Sequence, residues 1–408
     1  MLFFATTINY IDRQVLSLVM IDPGFKAEFN FSKTELGYID AAFKAAYAIG
    51  FLIVGSLIDK FGTRLGFIIS ITFWSFAAMS HAFAKGFMGF AAARFGLGLG
   101  ESGHFPGAIK TVAEWFPKKE RSFATGLFNS GANVGAIAAP LIVPFIALNY
   151  GWRWAFIVTG ALGFVWLILW YITYKKPEDA PISKEELDHI KSDNELPVKS
   201  IPWIKLFPHK QTWAIAAGKF FCDPVWWFYL TWLPIFFNEN TNLDRKLDLK
   251  SIGLPFLIIY IVSDLGSIAG GWYSSYLMKK GWTANAARKF TMLICALSVL
   301  PIFYVAITNN FWIAIALLSI ATAAHQANSA NVYTLISDMF PKQAIASVTG
   351  IGGMFGAVGG VILAAATGII IEKTGSYIPI FAIGGCSYLV SLGTIHLLVP
   401  NLEPIKEV

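Results

Sequence analysis

Twelve long apolar runs constrain the fold of this chain more than any other feature. Each approaches the ~20 residues that a helix needs to cross about 30 Å of hydrocarbon. Hydrophobic residues make up 56% of the 408 positions and the mean hydropathy is +0.59, which is more apolar surface than a soluble protein buries. The runs therefore predict an all-α membrane protein with twelve transmembrane helices, which we number spans 1 to 12. They lie near residues 1–21, 36–58, 66–84, 87–113, 122–147, 153–174, 211–237, 251–278, 289–307, 311–337, 343–371 and 377–398.

The loops between the spans define the orientation and the division of the chain. Lys and Arg collect in the loops that follow the even-numbered spans, and such an excess marks the cytoplasmic side. Both termini are therefore predicted to face the cytoplasm, in a multi-pass protein of the cytoplasmic membrane. The one long polar segment, 175–210, predicts a cytoplasmic linker between an N-terminal six-helix half (1–174) and a C-terminal six-helix half (211–408). In the linker, Ser183-x-x-Glu186 predicts a short surface helix.

An internal repeat supports this division. Glu114-Trp-Phe-Pro-Lys118 at the end of span 4 recurs as Asp338-Met-Phe-Pro-Lys342 at the end of span 10. The match continues without a gap into the following span of each half. Two six-helix halves related by an axis along the membrane normal are a known transporter architecture. The repeat therefore predicts two pseudo-symmetric six-helix bundles.

Composition and motifs argue against several other classes of protein. The net charge of +6 comes from loops between spans and does not indicate nucleic-acid binding. The three cysteines lie in apolar runs, so we expect free, buried thiols rather than a disulfide or metal framework. Neither a metalloprotease motif nor a Ser–His constellation supports an intramembrane enzyme, and no extra soluble domain supports a sensor. We expect no metal, no cofactor and no enzymatic activity, and a monomer in the lipid bilayer.

Two charged residues, Asp12 and Arg13, lie side by side within span 1. Each costs roughly 2.5–3.5 kcal/mol in mid-membrane on insertion scales, so both must face the bundle interior. One interpretation is a self-satisfied packing pair, and the other is a substrate or ion site.

A second pair, Arg94 and Glu101, is seven residues apart on span 4, so both share one helix face. This pair is either a brace between helices or a site for proton uptake and release. Span 4 is also rich in glycine, which predicts close packing against a neighbouring helix.

Spans 2 and 7 each carry an acid and a lysine at i,i+4 spacing. On span 2, Asp40 and Lys44 precede Tyr47 on much the same face. The two charged residues are either part of a binding site or an intrahelical ion pair near the outer end of the span. On span 7, Lys219 and Asp223 precede Pro224, which predicts a local break in the helix.

The tryptophans that follow Pro224 include candidate sugar contacts, because aromatic faces stack on pyranose rings. Trp226 or Trp227 is the preferred candidate, since some of these aromatics must face lipid. On span 10, four polar residues lie close together and are unlike a lipid-facing surface. We interpret them as a face that binds hydroxyl groups: His325, Gln326, Asn328 and Asn331.

The segment between spans 2 and 3 resembles the signature loop of the major facilitator superfamily. It reads Gly55-Ser-Leu-Ile-Asp59-Lys60-Phe-Gly62-Thr-Arg64, with a degraded copy between spans 8 and 9. The resemblance implies a cytoplasmic gate formed by Asp59, Lys60 and Arg64. It also implies alternating access, in which one half rocks against the other.

Within that superfamily three stretches resemble the anion:cation symporters, and specifically hexuronate permeases. They are Asn9-Tyr-Ile-Asp-Arg13, the stretch from Lys219 to Pro234, and His325-Gln-Ala-Asn328-Ser-Ala-Asn331. The likeness implies that Tyr10, Arg13 and Tyr47 bind substrate, with Arg13 on its carboxylate, and that Lys44 is a weaker candidate. It implies proton coupling through Asp12 and Glu101, with Arg94 beside them.

The resemblance therefore implies proton-coupled uptake of a hexuronate such as glucuronate or galacturonate. Another organic monoanion such as galactonate, or coupling to Na⁺, stays open. Members of the family carry a basic tail before span 1, and here only eleven residues precede Asp12. That short flank indicates a fragment or a misassigned start.

Overall fold

The computed structural model of the protein describes residues 1–192, 203–240 and 242–405. In these ranges the chain is helical and contains no β-strand. Sixteen α-helices are numbered in chain order: α1 (Leu2–Val19), α2 (Pro23–Glu28), α3 (Lys33–Phe61), α4 (Thr63–Ser80), α5 (Phe87–Glu101), α6 (His104–Trp115), α7 (Lys118–Tyr150), α8 (Trp152–Thr173), α9 (Lys184–Ile190), α10 (Trp203–Leu206), α11 (Lys210–Glu239), α12 (Gly253–Lys279), α13 (Ala284–Val299), α14 (Phe311–Met339), α15 (Lys342–Thr374) and α16 (Ile378–Leu398). Short 3₁₀ segments lie at His81–Phe83, Pro177–Asp179 and Leu300–Ala306.

The long helices reproduce the predicted spans and confirm an all-α membrane fold. Among the described residues, eight helices are long and apolar enough to cross a bilayer. They include α4, α7, α8 and α12 to α16, with α4 and α13 extended by their 3₁₀ turns. The remaining predicted spans correspond to α1, α3, α5 with α6, and α11. Each of these carries at least two charged residues in its interior, which lowers its hydropathy.

Span 4 is interrupted, which corrects the prediction of one continuous helix over 87–113. α5 ends at Glu101 and α6 begins at His104. A Cβ added at Gly103 would lie 2.2 Å from the Ser70 hydroxyl, so this turn presses directly on α4. The predicted close packing of the glycine-rich helix is confirmed at Gly98, where a Cβ would lie 2.2 Å from the carbonyl oxygen of Phe43.

The predicted break at Pro224 is wrong, because α11 runs without interruption from Lys210 to Glu239. A proline removes only one backbone donor, and packing on a neighbouring helix can hold the chain helical across it. α11 packs along α15 here: a Cβ at Gly359 would lie 2.4 Å from the Phe220 carbonyl oxygen and 2.9 Å from Pro224 Cγ.

Local sequence signals set several helix boundaries. At the start of α3, Glu35 accepts from the Ser32 backbone N–H at 2.9 Å, and Ser32 Oγ accepts from the Glu35 N–H at 3.1 Å. This reciprocal capping box offsets two unpaired donors. In the linker, Ser183 Oγ accepts from the Glu186 N–H, as predicted. Gly62, with φ of +83°, is the whole connection between α3 and α4, where another residue would be strained.

The chain forms two compact units, each described here by itself. The N-terminal unit comprises Met1–Asn30 and Ala42–Val198, and the C-terminal unit comprises Phe31–Ala41 and Lys199–Val408. The repeat is visible in the packing: α1 pairs with α7 in the first unit as α11 pairs with α15 in the second. Likewise α4 packs on α8, and α13 on α16.

The outer end of α3 belongs to the C-terminal unit. Lys33 Nζ lies 2.5 and 2.6 Å from the two carboxylate oxygens of Glu239 on α11. A Cβ at Gly368 on α15 would lie 2.3 Å from the Lys33 carbonyl oxygen. The expectation of three buried thiols needs one correction: Cys222 and Cys295 are buried, whereas Cys386 on α16 is exposed because it lies on the helix's outer face.

Candidate functional site

The centre of the N-terminal unit is the guanidinium of Arg13 on α1. Its Nε donates to Oε2 of Glu101 on α5 at 2.6 Å, and the Glu101 side chain is fully buried. The terminal nitrogens Nη1 and Nη2 have no hydrogen-bond partner among the described residues, and the Arg13 side chain is 12% exposed. A planar fork with two free donors is suited to a carboxylate. This geometry can therefore bind an organic anion.

Aromatic rings surround that guanidinium. The Arg13 Cζ lies 4.9 Å from the ring centre of Tyr10, 4.8 Å from Tyr47 and 5.5 Å from Phe43. Phe43 and Tyr47 are neighbours on α3 and stack on each other. Cation–π contacts of this kind offset part of the cost of burying the charge and hold the fork in one orientation.

Asp12 does not pair with Arg13, so the interpretation of a self-satisfied packing pair is wrong. Both Asp12 carboxylate oxygens are buried without a hydrogen-bond partner among the described residues. Asn9 and Thr159, each 1% exposed, also carry unpartnered polar atoms in this unit. Buried polar groups in native proteins are normally hydrogen-bonded, and exceptions cluster at functional sites. The arrangement is suited to a group that gains and loses a proton or a small ligand.

The Arg94 guanidinium, on the same helix as Glu101, contacts the backbone of α1. Its Nη2 donates to the Arg13 carbonyl oxygen at 3.0 Å, and the second Glu101 oxygen, Oε1, stays unpartnered. Arg94 and Glu101 therefore share one face, as predicted, and both join α5 to α1. Their part in proton uptake and release stays a prediction. At the start of α6, Nε2 of His104 lies 2.8 Å from the Thr6 hydroxyl of α1.

In the C-terminal unit, α11 and α14 bring a lysine, an acid and a phenol together. Lys219 Nζ lies 2.9 Å from Asp223 Oδ2, which confirms the i,i+4 pair. The same nitrogen donates to the Tyr333 hydroxyl at 3.1 Å and lies 4.4 Å from that ring centre. The Asp223 carboxylate offsets the charge of the buried ammonium and the Tyr333 hydroxyl accepts a hydrogen bond from it, so Lys219 is held in place.

His325 on α14 forms a second polar group with two aromatic rings. Its ring stacks on Trp226 at 5.2 Å with an interplanar angle of 7°, and its Nδ1 lies 2.7 Å from the Tyr388 hydroxyl. Gln326 and Trp227 are only partly buried. Trp226 is the tryptophan candidate that stacks on the predicted polar face, through His325.

Two residues of the span 10 motif make hydrogen bonds to other parts of the same unit. Asn331 is fully buried, and its Nδ2 donates to the carbonyls of Ala327 at 2.9 Å and Gly270 at 3.3 Å. Asn328 donates to the Cys222 sulfur at 3.4 Å. These contacts join α14 to α12 and α11. They favour a packing role over the predicted contact with substrate.

The remaining predicted residues are Lys44 and the three gating residues. Lys44 on α3 is buried, with 3% of its surface exposed. Of the gating residues, Arg64 donates to the Tyr171 carbonyl oxygen at 2.9 Å, and Lys60 is exposed beside Phe61. The Asp59 side chain lies outside the described part of the structure, so its gating role stays a prediction.

Sequence reasoning missed four residues of these clusters: Phe43, Thr159, Tyr333 and Tyr388. Tyr333 follows the span 10 motif by two positions, which is a weak signal. Phe43 directly precedes Lys44 in the stretch singled out on span 2, whereas no motif includes Thr159 or Tyr388.

The fold and the match to known sequences place the chain in the Major Facilitator Superfamily. The sequence model of that family matches residues 2–364. The chain therefore belongs to the superfamily and is a multi-pass membrane protein of the transporter class.

Its relatives include named transporters. The hexuronate transporter of Escherichia coli (strain K12) is 31% identical over 409 residues, covering 98% of this chain and 93% of that protein. The D-galactonate transporter of Escherichia coli O6:H1 is 30% identical, covering 97% and 95%. The galacturonate transporter of Dickeya chrysanthemi is 30% identical, covering 76% and 90%.

Solved structures share the fold. The crystal structure of the D-xylose-proton symporter matches with a TM-score of 0.76 at 14% identity, covering 99% of this chain and 98% of that one. The inward-facing, occupied structure of a bacterial homologue of the human lysosomal transporter Spinster matches with a TM-score of 0.70 at 19% identity, covering 98% and 93%.

Proposed function

We propose that the protein takes up a hexuronate, such as glucuronate or galacturonate, by proton-coupled symport across the cytoplasmic membrane. The observation that carries the proposal is the Arg13 guanidinium: Glu101 holds its Nε, and its two terminal nitrogens have no hydrogen-bond partner in the part of the chain that the structure describes. A hexuronate supplies the carboxylate for this fork and a ring of hydroxyl groups. The names of the relatives support a sugar acid as the substrate class.

The roles of the other residues follow from this assignment. In the N-terminal unit, Tyr10 and Tyr47 orient the fork. In the C-terminal unit, the candidates for binding hydroxyl groups are Lys219, Trp226, His325 and Gln326. Lys44 stays a weaker candidate for the carboxylate. The protein works as a monomer with both termini in the cytoplasm, and Asp59, Lys60 and Arg64 act at the cytoplasmic gate.

Coupling is assigned to two buried acids. Glu101 contacts the substrate-binding arginine directly, so protonation of Glu101 weakens its hold on Nε and links the proton to the state of the site. Asp12, with both oxygens unpartnered, is the second proton carrier. Each acid alternates between charged and neutral forms during a cycle of alternating access.

Uptake of radiolabelled glucuronate into cells expressing the protein tests the proposal. A protonophore should abolish accumulation, whereas removal of Na⁺ should leave it intact. If accumulation of glucuronate were lost only when Na⁺ is removed, Na⁺ rather than the proton would be the coupling ion. Absence of glucuronate uptake despite correct membrane insertion would refute the proposed substrate.

D-galactonate is the second candidate, because a relative of that name is nearly as similar to the chain as the hexuronate transporter. Galactonate is an open-chain monoanion and would use the same fork without stacking a ring on Trp226. Competition of unlabelled galactonate with labelled glucuronate separates the two. Stronger inhibition by galactonate would reverse the assignment.

A further inference from the structure

Tyr388 on α16 is the hydrogen-bond partner of His325 and belongs to none of the sequence motifs. Its hydroxyl oxygen lies 2.7 Å from His325 Nδ1. The two rings meet edge to face, with centres 5.9 Å apart and an interplanar angle of 83°. Both side chains are buried, His325 with 4% and Tyr388 with 1% of its surface exposed.

The direction of this hydrogen bond follows from the surroundings of the phenol. The Tyr388 hydroxyl makes no other hydrogen bond in the part of the chain that the structure describes. If Nδ1 carried a proton and donated it, the phenol's own proton would be buried without an acceptor, which is costly. The arrangement that pairs the phenol proton is the one in which Tyr388 donates to an unprotonated Nδ1. A neutral imidazole then carries its proton on Nε2.

Nε2 is the nitrogen that remains for a ligand. It has no hydrogen-bond partner among the described residues, and Trp226 fixes the plane of the ring by stacking at 5.2 Å. Two contacts thus determine the outcome: Trp226 sets the orientation of the imidazole, and Tyr388 sets which nitrogen is the donor.

We propose that Tyr388 is a positioning residue that holds His325 in the Nε2–H tautomer, so that His325 donates a hydrogen bond to an oxygen of the sugar acid. This inference rests on the proposed function for its ligand, but the tautomer itself does not. The site then favours substrates that present a hydroxyl or ring oxygen as an acceptor to this donor. The site discriminates less between substrates that differ only at atoms not in contact with His325.

The test compares Tyr388→Phe with a matched control. Tyr388→Phe keeps the ring and its packing and removes only the hydroxyl. The matched control is Tyr229→Phe, in the same unit. It removes an equally buried hydroxyl that has no hydrogen-bond partner among the described residues. We expect the dissociation constant for glucuronate, measured by calorimetry on purified protein, to rise about 3- to 10-fold for Tyr388→Phe, the net value of one hydrogen bond. Tyr229→Phe should change it less than about twofold.

Two further measurements separate positioning from simple packing. In a His325→Ala background, Tyr388→Phe should cost no additional affinity, because Tyr388 acts only through His325. Nitrogen chemical shifts of labelled histidine should show His325 as the Nε2–H tautomer in the unliganded wild type and as a mixture in Tyr388→Phe. His325→Gln assigns the signal among the six histidines.

Each outcome has a defined meaning. An Nδ1–H tautomer in the wild type, or equal losses in the Tyr388→Phe and Tyr229→Phe proteins, would overturn the inference. Additive losses in the double variant would also overturn it and make Tyr388 a packing residue. A wild-type protein that shows the Nε2–H tautomer but binds no hexuronate would refute the proposed substrate and support the tautomer assignment.

Discussion

Replacing Arg13 by lysine keeps the charge of the anion site but removes its fork. In the native site, Nε donates to Glu101 at 2.6 Å, and no described residue accepts a hydrogen bond from the two terminal nitrogens, which can therefore bind a carboxylate. A lysine ammonium is a point charge on a flexible stem, and the nearby Glu101 would compete for it. The substrate then keeps some Coulomb attraction and loses at least one charged hydrogen bond of roughly 1.5–3 kcal/mol together with the bidentate geometry. We expect a net loss of about 3 kcal/mol, on the order of 100-fold in the dissociation constant.

Calorimetric titration of purified protein with glucuronate measures this loss directly. Arg94→Lys is the matched control, because Arg94 is also buried and a lysine can make its hydrogen bond to the Arg13 backbone carbonyl, which measures 3.0 Å. It should weaken binding less than about tenfold. Thermal unfolding should show both variants folded, since each keeps its positive charge beside the buried acids.

Unchanged affinity in Arg13→Lys would refute the reasoning. Arg13 would then serve only to join α1 to α5, and the carboxylate would have to bind elsewhere, with Lys44 the next candidate. Equal losses in the Arg13 and Arg94 variants would point to general disruption of the unit rather than to loss of a fork.

Three other perturbations follow from the same geometry. Glu101→Gln can still accept from its guanidinium partner but cannot titrate, so proteoliposomes should retain counterflow of hexuronate and lose accumulation driven by a pH gradient. Gly98→Ala should destabilise the protein by about 2 kcal/mol in thermal unfolding, because the new methyl would lie 2.2 Å from the rigid backbone oxygen of Phe43. Lys289→Met should lower the unfolding midpoint slightly, by about 1 kcal/mol of stability, because Nζ donates to the Val399 and Pro400 carbonyls at 2.6 and 2.7 Å at the end of α16.

Each has its own contrary result. A Glu101→Gln protein that still concentrates substrate would move coupling to Asp12 alone or to Asp223. Gly126→Ala, at a helical glycine with nothing within 4 Å, is the control for Gly98 and should be neutral or stabilising. Similar midpoints for the two alanine variants would contradict the close contact between α3 and α5. An unchanged midpoint in Lys289→Met would mean that water replaces the ammonium without cost.

The sequence by itself determined the class of fold, because the bilayer leaves few alternatives. A run of about 20 apolar residues must be helical in hydrocarbon, where every backbone group needs an internal partner. Helix starts at Ser32 and Ser183 were equally predictable, since a capping side chain acts within three residues of the chain. Charges placed inside spans marked α1, α5 and α11 as helices with candidate functional side chains.

Partners across the fold were not predictable from the sequence. Asp12 and Arg13 are adjacent in the chain, yet Arg13 takes its partner from α5, because side chains at neighbouring positions of a helix point in different directions. Likewise, Pro224 predicted a break that packing against α15 prevents, and Gly103 gave no sign of the turn between α5 and α6.

Only the tertiary structure decided which polar residues of the motifs are available for ligands. Asn331 and His325 belong to one motif, but Asn331 donates to carbonyls of α12 and of its own helix. By contrast, Nε2 of His325 has no hydrogen-bond partner within the described ranges. The difference depends on Tyr388, which lies 63 positions further along the chain. Hydrogen bonds act over about 3 Å whatever the separation in sequence, so their partners are fixed only when the helices pack.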